Sequence, residues 1–181
     1  YKRQSDNLLA GAQNAFFTGK GKTLNRFTGE YAPIAEVART YQAQDKRLVV
    51  VAEDNYGEGS SREHAAMEPR YLGVVIIIAK SFARIHETNL KKQGVLAVTF
   101  ENPADYDYIR EDDRMDVPDL EKFSPGSSLT LLLKHQDGSR QTIRLRHSYN
   151  HQQIQWFKAG SAMNFIRKRK EQNYARTTFK Q

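Results

Sequence analysis

Apolar residues are concentrated in three short, β-branched runs, 48–52, 74–79 and 95–100, each bounded by glycine, proline or polar residues. Runs of five or six apolar residues suit strands buried on both faces of a sheet better than helices of that length. Between them the pattern lengthens to a helical period. Pro33 suits the first turn of a helix with the stripe Ile34, Val37 and Tyr41, expected to pack against the sheet that starts at Leu48. Residues from Glu63 to about Leu72 predict a short helix that Pro69 and Gly73 help to end. Ser81 is a candidate N-cap for a further helix with Phe82, Ile85, Asn89 and Leu90 on one face, Lys91 and Lys92 at its negative end and Gly94 as its stop.

Strands alternating with helices predict an α/β core with parallel pairing. After residue 100 the period changes. Runs 129–134 and 141–145 flank Asp137-Gly138, a hairpin signal, and Asn150 with Gln153 predicts the capped start of a terminal helix through Trp156 and Phe157. Antiparallel strands therefore join the parallel core. The segment from Asp6 to Tyr31, with Gly11, Gly19, Gly21 and Gly29, reads as a long excursion with little regular structure. Its Gly19-Lys20-Gly21-Lys22-Thr23 lacks the first glycine and the preceding buried strand of a phosphate loop.

Length and composition narrow the picture. The chain has 181 residues, enough for one domain with a sizeable core. It has no cysteine, so it forms no disulfide and holds no thiolate-bound zinc or iron–sulfur cluster. No apolar run approaches the length of a membrane span. The chain opens Tyr1-Lys2-Arg3 and its first methionine is Met67, which suggests a piece of a longer polypeptide. The net charge of +7 raises the question of nucleic acid, but it is concentrated at one end. Arg167, Lys168, Arg169, Lys170, Arg176 and Lys180 stand against Glu171 alone, so this reads as a solvated basic tail over 166–181 and nucleic-acid binding is not expected. The histidines at 64, 86, 135, 147 and 151 are scattered, and no metal site is expected from them. His64 and His86 are expected to hold local structure near the site.

The candidate chemistry lies between the first two buried strands, in Asp54-Asn55-Tyr56-Gly57-Glu58-Gly59-Ser60-Ser61-Arg62-Glu63-His64. Gly57 and Gly59 allow a sharp turn that exposes backbone N–H groups, and a helix start follows at once. Ser60, Ser61 and Arg62 would then stand where unpaired amides and the helix dipole attract an anion, with a guanidinium able to fork onto a carboxylate. Ser60 with Glu63 is equally a capping box, in which hydroxyl and carboxylate satisfy the helix end. Spacing alone leaves both readings open.

The run from Asn55 to His64 resembles the signature of the aconitase family, and so does Lys80-Ser81-Phe82-Ala83-Arg84-Ile85-His86-Glu87-Thr88-Asn89-Leu90-Lys91-Lys92-Gln93-Gly94. The resemblance continues through Glu101-Asn102-Pro103-Ala104-Asp105-Tyr106 and Gln155-Trp156-Phe157-Lys158-Ala159-Gly160-Ser161-Ala162. It covers that family's C-terminal swivel domain, here 1–165, and implies an α/β fold of swivel-domain type, a mixed sheet or barrel with a parallel core and added antiparallel strands. It also implies interconversion of citrate and isocitrate through cis-aconitate, with Ser60 as catalytic base, Ser61 and Arg62 binding substrate carboxylate, and Gly57, Glu58, Gly59, Glu63 and His64 supporting the site. The implied [4Fe-4S] cluster belongs to cysteines outside this chain, on N-terminal domains that are its expected partners. Alone, the chain is expected to fold, to bind no iron and to turn over no substrate. A family arginine that binds substrate just upstream of an Asn-Leu-Leu segment has no counterpart before Asn7-Leu8-Leu9. The compartment implied is the bacterial cytoplasm or the mitochondrial matrix. Two other readings are the small subunit of isopropylmalate isomerase, with a related Gly-Ser-Ser-Arg-Glu-His motif, and a non-enzymatic RNA- or ribosome-binding module. Glu58 and the match over 155–162 favour aconitase over the first, and intact Ser60, Ser61 and Arg62 speak against the second.

Overall fold

A computed structural model describes residues 8–59 and 63–178, with backbone alone for 173–178. The three apolar runs form β3 (Leu48–Ala52), β4 (Val74–Ala79) and β5 (Leu96–Phe100), which pair in parallel in that order. The connections between them are α2 (Glu63–Tyr71) and α3 (Arg84–Gln93), and Gly94 ends the latter in the left-handed region at φ 75°. The predicted hairpin forms from β7 (Leu129–Lys134) and β8 (Arg140–Arg146), with Gly138 at φ 84° in its turn. β8 pairs antiparallel with β5, and β6 (Arg114–Asp116) pairs with β7, so the six strands run β3-β4-β5-β8-β7-β6.

Alternation along these strands sorts their side chains into two cores. A bulge between Leu48 and Val49 pairs Leu48 with Val74 but Val49 with Ile76, leaving Val75 as the extra residue. Val74 before the bulge and Ile77 beyond it, with Ala97, face α2 and α3, where Ala66 and Leu90 cover them. Ile76, Ile78, Leu96, Val98 and Phe100 face the other way and join Leu129, Leu131, Leu133, Ile143 and Leu145 of the hairpin. Ile154 of α4 (His151–Ala159) completes that second core. Helix α4 starts as its sequence predicts: Asn150 Oδ1 accepts from Gln153 N–H (2.9 Å) and Gln153 Oε1 accepts from Asn150 N–H (3.1 Å).

Five expectations differ from the structure, each for a physical reason. β3 is an end strand among the described residues, and all five of its side chains are only partly buried, because the apolar run has a neighbour on one edge alone. The N-terminal excursion contains a hairpin, β1 (Lys22–Asn25) and β2 (Glu30–Pro33), whose turn Gly29 makes at φ 76°. Pro69 lies inside α2 and is buried, instead of ending it. In α1 (Ile34–Ala43) the buried residues are Ala35, Val37 and Ala38, with Ile34 packed at the margin beside Leu48, so small residues let this helix approach closely. The stretch expected as a basic tail continues α5 (Ala162–Thr178), which packs on α4 and α3 and leaves Arg167, Lys168, Arg169 and Lys170 exposed.

Candidate functional site

The parallel arrangement brings the carboxyl ends of β3, β4 and β5 to one edge of the sheet, where the loops after the first two strands meet. This is the position at which open α/β sheets bind ligands. The loop after β3 is bent by three left-handed residues in five positions: Asn55 (φ 54°), Gly57 (φ 89°) and Gly59 (φ 80°). Asn55 tolerates that region because its side chain is short and polar, and the glycines because they have no Cβ. At Gly57 space makes the same demand, since an added Cβ would overlap the ring of His86. Gly59 has open space around it, so only its backbone angle calls for glycine.

The loop after β4 holds this turn in place. Asn55 N–H donates to Ser81 Oγ (2.8 Å), and Ser81 Oγ–H donates to Asp54 Oδ1 (3.0 Å). Tyr56 N–H donates to Ser81 O and Ala83 N–H to Tyr56 O, both at 3.0 Å, which makes a one-residue parallel bridge between Tyr56 and Phe82. The Tyr56 ring meets Phe82 and His86 edge-on, at 5.8 and 5.3 Å between centroids. Burial pushes the Tyr56 phenol up to about 12, so it stays neutral and acts as a wall. Ser81 is therefore not the N-cap of α3; that position is Ala83, with no side-chain cap, because the Ser81 hydroxyl is committed across the loop. Ile85, expected on the buried face, is 60% exposed, and His86 takes the interior place at 3%.

Ser60, Ser61 and Arg62, the three residues joining Gly59 to Glu63, lie outside the described residues. Of the supporting residues, Gly57 and Gly59 shape the turn, while Glu58 is exposed at its rim. Glu63 opens α2, and its Oε1 accepts from Gln93 Nε2 (3.3 Å), tying α2 to α3. His64 is exposed. Burial raises the pKa of the Glu68 carboxyl, and the charge of His64 partly offsets that. His86 is thus buried against the turn, and His64 lies on the surface at the start of α2.

Sequence reasoning passed over a second group at the same edge. Lys80, the first residue after β4, places Nζ 3.5 Å from Glu53 Oε1 and 4.4 Å from the centre of the Tyr106 ring. The signal was available in that Glu53 and Lys80 each directly follow an apolar parallel strand. Among the described residues no group of three or more histidines, cysteines or acidic residues could hold a metal ion. No helix among them is long and apolar enough to cross a membrane.

Comparison with known proteins gives this geometry a setting. The family model "Aconitase C-terminal domain" matches residues 1–103. A probable mitochondrial aconitate hydratase of Dictyostelium discoideum is 53% identical over 167 residues, 92% of this chain and 22% of that protein. The mitochondrial aconitate hydratase of Saccharomyces cerevisiae is 50% identical over 163 residues, 90% of this chain and 21% of that protein. This chain therefore spans about a fifth of the length of these relatives. Among solved structures, a 3-isopropylmalate dehydratase from Methanocaldococcus jannaschii superposes with a TM-score of 0.55 at 29% identity, covering 71% of this chain and 68% of that one.

Proposed function

The chain belongs to the aconitase C-terminal domain family, and from that premise we propose that it is the part of an aconitate hydratase that carries the catalytic base and a substrate-carboxylate site. The observation that carries the reading is the glycine turn at the carboxyl end of β3. It is left-handed at 55, 57 and 59, clamped by the loop after β4, and leads within three residues into the first turn of α2. Ser60 is the base, Ser61 and Arg62 bind carboxylate, and citrate, isocitrate and cis-aconitate are the substrates.

Elimination of water from a hydroxy acid needs a base for the carbon-bound proton and a Lewis acid for the departing hydroxyl. The Lewis acid in this family is one iron of a [4Fe-4S] cluster. The residues here do not fit that cluster, for the chain has no cysteine to ligate it. It therefore belongs to other parts of the parent polypeptide, which are this chain's proposed partners. The residues of this chain serve the proton. Ser60 Oγ, as the alkoxide, takes it from carbon and returns it when water is added in reverse. A serine hydroxyl is a poor base unless its anion is stabilised, and the unpaired N–H groups of a helix's first turn together with the Arg62 guanidinium are groups suited to that task. Tyr56, neutral and packed on Phe82 and His86, adds an apolar wall beside the turn. The names of the relatives support the mitochondrial matrix as the compartment.

The test uses the parent polypeptide, loaded with its cluster, and follows hydration of cis-aconitate. Turnover is expected, and Arg62→Lys should raise KM by roughly ten- to a hundredfold, since a point charge cannot replace a planar fork on a carboxylate. A loaded parent that leaves cis-aconitate untouched but dehydrates 2-isopropylmalate would move the assignment to the isopropylmalate dehydratases.

A further inference from the structure

We propose that Ser81 is a positioning residue for this reaction, one whose hydroxyl locks the turn that delivers the serine base. The proposal rests on the reading of Ser60 as base and adds a residue outside the 55–64 run. Turns rich in left-handed glycine do not hold one shape by themselves, because glycine populates positive and negative φ about equally and an asparagine in that region carries a penalty of its own. Something outside the turn has to select the conformer. Among the described residues, the bonds that reach it from the next loop are Asn55 N–H to Ser81 Oγ, Ser81 Oγ–H to Asp54 Oδ1, Tyr56 N–H to Ser81 O and Ala83 N–H to Tyr56 O.

Two of these four are backbone to backbone and survive any side-chain change. The other two share one atom, Ser81 Oγ, which accepts from the left-handed residue and donates to the residue before it. That hydroxyl fixes the place where the chain leaves β3, five residues ahead of Ser60. A capping role does not explain it, since α3 begins at Arg84 with Ala83 as its N-cap and takes no bond from Ser81. Solvation does not either, since both directions of the hydroxyl are used within the protein at 2.8 and 3.0 Å. The side chain is spent on the geometry of the turn.

The experiment is a double-mutant cycle in the cluster-loaded parent enzyme, with activity expressed per folded, loaded molecule. Ser81→Ala should lower kcat about 10- to 100-fold, the loss that accompanies a misplacement of the order of 1 Å. Ser81→Thr, which keeps the hydroxyl, should recover most of it. Because Ser81 acts through Ser60, adding Ser81→Ala to Ser60→Ala should cause no further loss. A readout free of catalysis accompanies these rates: the Asn55 amide, bonded to Ser81 Oγ, should exchange with solvent faster in Ser81→Ala while amides in β5 keep their protection. A Ser81→Ala enzyme with wild-type kcat, or one whose loss multiplies in full with that of Ser60→Ala, overturns the proposal and leaves the base assignment standing. A Ser60→Ala enzyme with normal turnover overturns both.

Discussion

The two halves of the sheet hold their loops by different means. At the carboxyl edge of the parallel strands, the turn from Asp54 to Gly59 is held by backbone N–H groups, one serine hydroxyl and the edges of three rings. Across the sheet, the antiparallel strands and their loops are laced with ionisable groups. Asp113 bonds His135 Nδ1 at 2.5 Å and Arg110 N–H at 2.8 Å, Asp137 takes Arg110 Nη1 at 2.8 Å, Asp116 pairs with Lys134, and both Asp119 oxygens take Thr130 N–H at 3.0 Å. Fixings of the second kind are several and overlapping, so loss of one leaves others. Those of the first kind converge on one hydroxyl and on glycines at left-handed angles, which is the arrangement expected where geometry serves chemistry.

Glycine substitutions break the comparison most sharply. Gly57 and Gly138 have nearly the same backbone angle, φ 89° and 84°, but Gly57 abuts the His86 ring and Gly138 has open space. Gly138→Ala should cost about 1–2 kcal/mol of stability, the penalty of a left-handed residue, with kcat unchanged. Gly57→Ala adds the collision with His86 and should lower kcat of the parent enzyme by about 100-fold or more. Equal effects on kcat from the two would erase the distinction between the halves.

A smaller effect is expected from Asp113→Ala. The Asp113 side chain is fully buried, and its loss strands His135 Nδ1, so thermal and denaturant unfolding should report about 1–3 kcal/mol of destabilisation. Turnover per folded molecule should stay at the wild-type level. A large fall in kcat would mean that this half also shapes the site.

The smallest effect concerns Asp137 and depends on pH. Hydrogen bonds from the Ser139 hydroxyl, the Arg110 guanidinium and the Ser139 amide hold its carboxyl well below the usual carboxylate range. The folded state binds this proton more weakly than the unfolded chain does. The resulting stability is complete above about pH 4 and is lost as pH falls through the depressed folded value. Asp137→Asn should therefore lower Tm slightly at pH 7, and the gap to wild type should close in strong acid. A gap that widens on acidification contradicts the assignment.

How far the sequence announced this molecule follows from how local each signal is. The three apolar strands, the Asp137-Gly138 hairpin and the Asn150–Gln153 capping box are set by residues adjacent in the chain, and all form where their pattern places them. The expectations that differ from the structure turn on partners distant in sequence. Ser81 has the spacing of an N-cap, but its hydroxyl bonds across 26 residues to Asn55. Ile85 and His86 are neighbours on α3, and which faces inward is decided by Gly57, which leaves room for an imidazole. The apolar run of β3 reads as a strand buried on both faces, and nothing in its own residues tells that one edge has no partner among the described residues. At the site, the glycines and the strand-to-helix turn were legible in composition, whereas the Lys80–Glu53–Tyr106 group needs three strand ends side by side.

The central claim, that this chain brings the base to the reaction, is tested most directly by kcat of the Ser60→Ala parent enzyme with its cluster intact, measured beside its thermal unfolding. A base acts in the transition state, so kcat should fall by several orders of magnitude, with a smaller change in KM and little change in Tm. The capping box gives the opposite pair. Near-normal turnover with a loss of roughly 0.5–2 kcal/mol in domain stability would make Ser60 a helix cap and contradict its assignment as base.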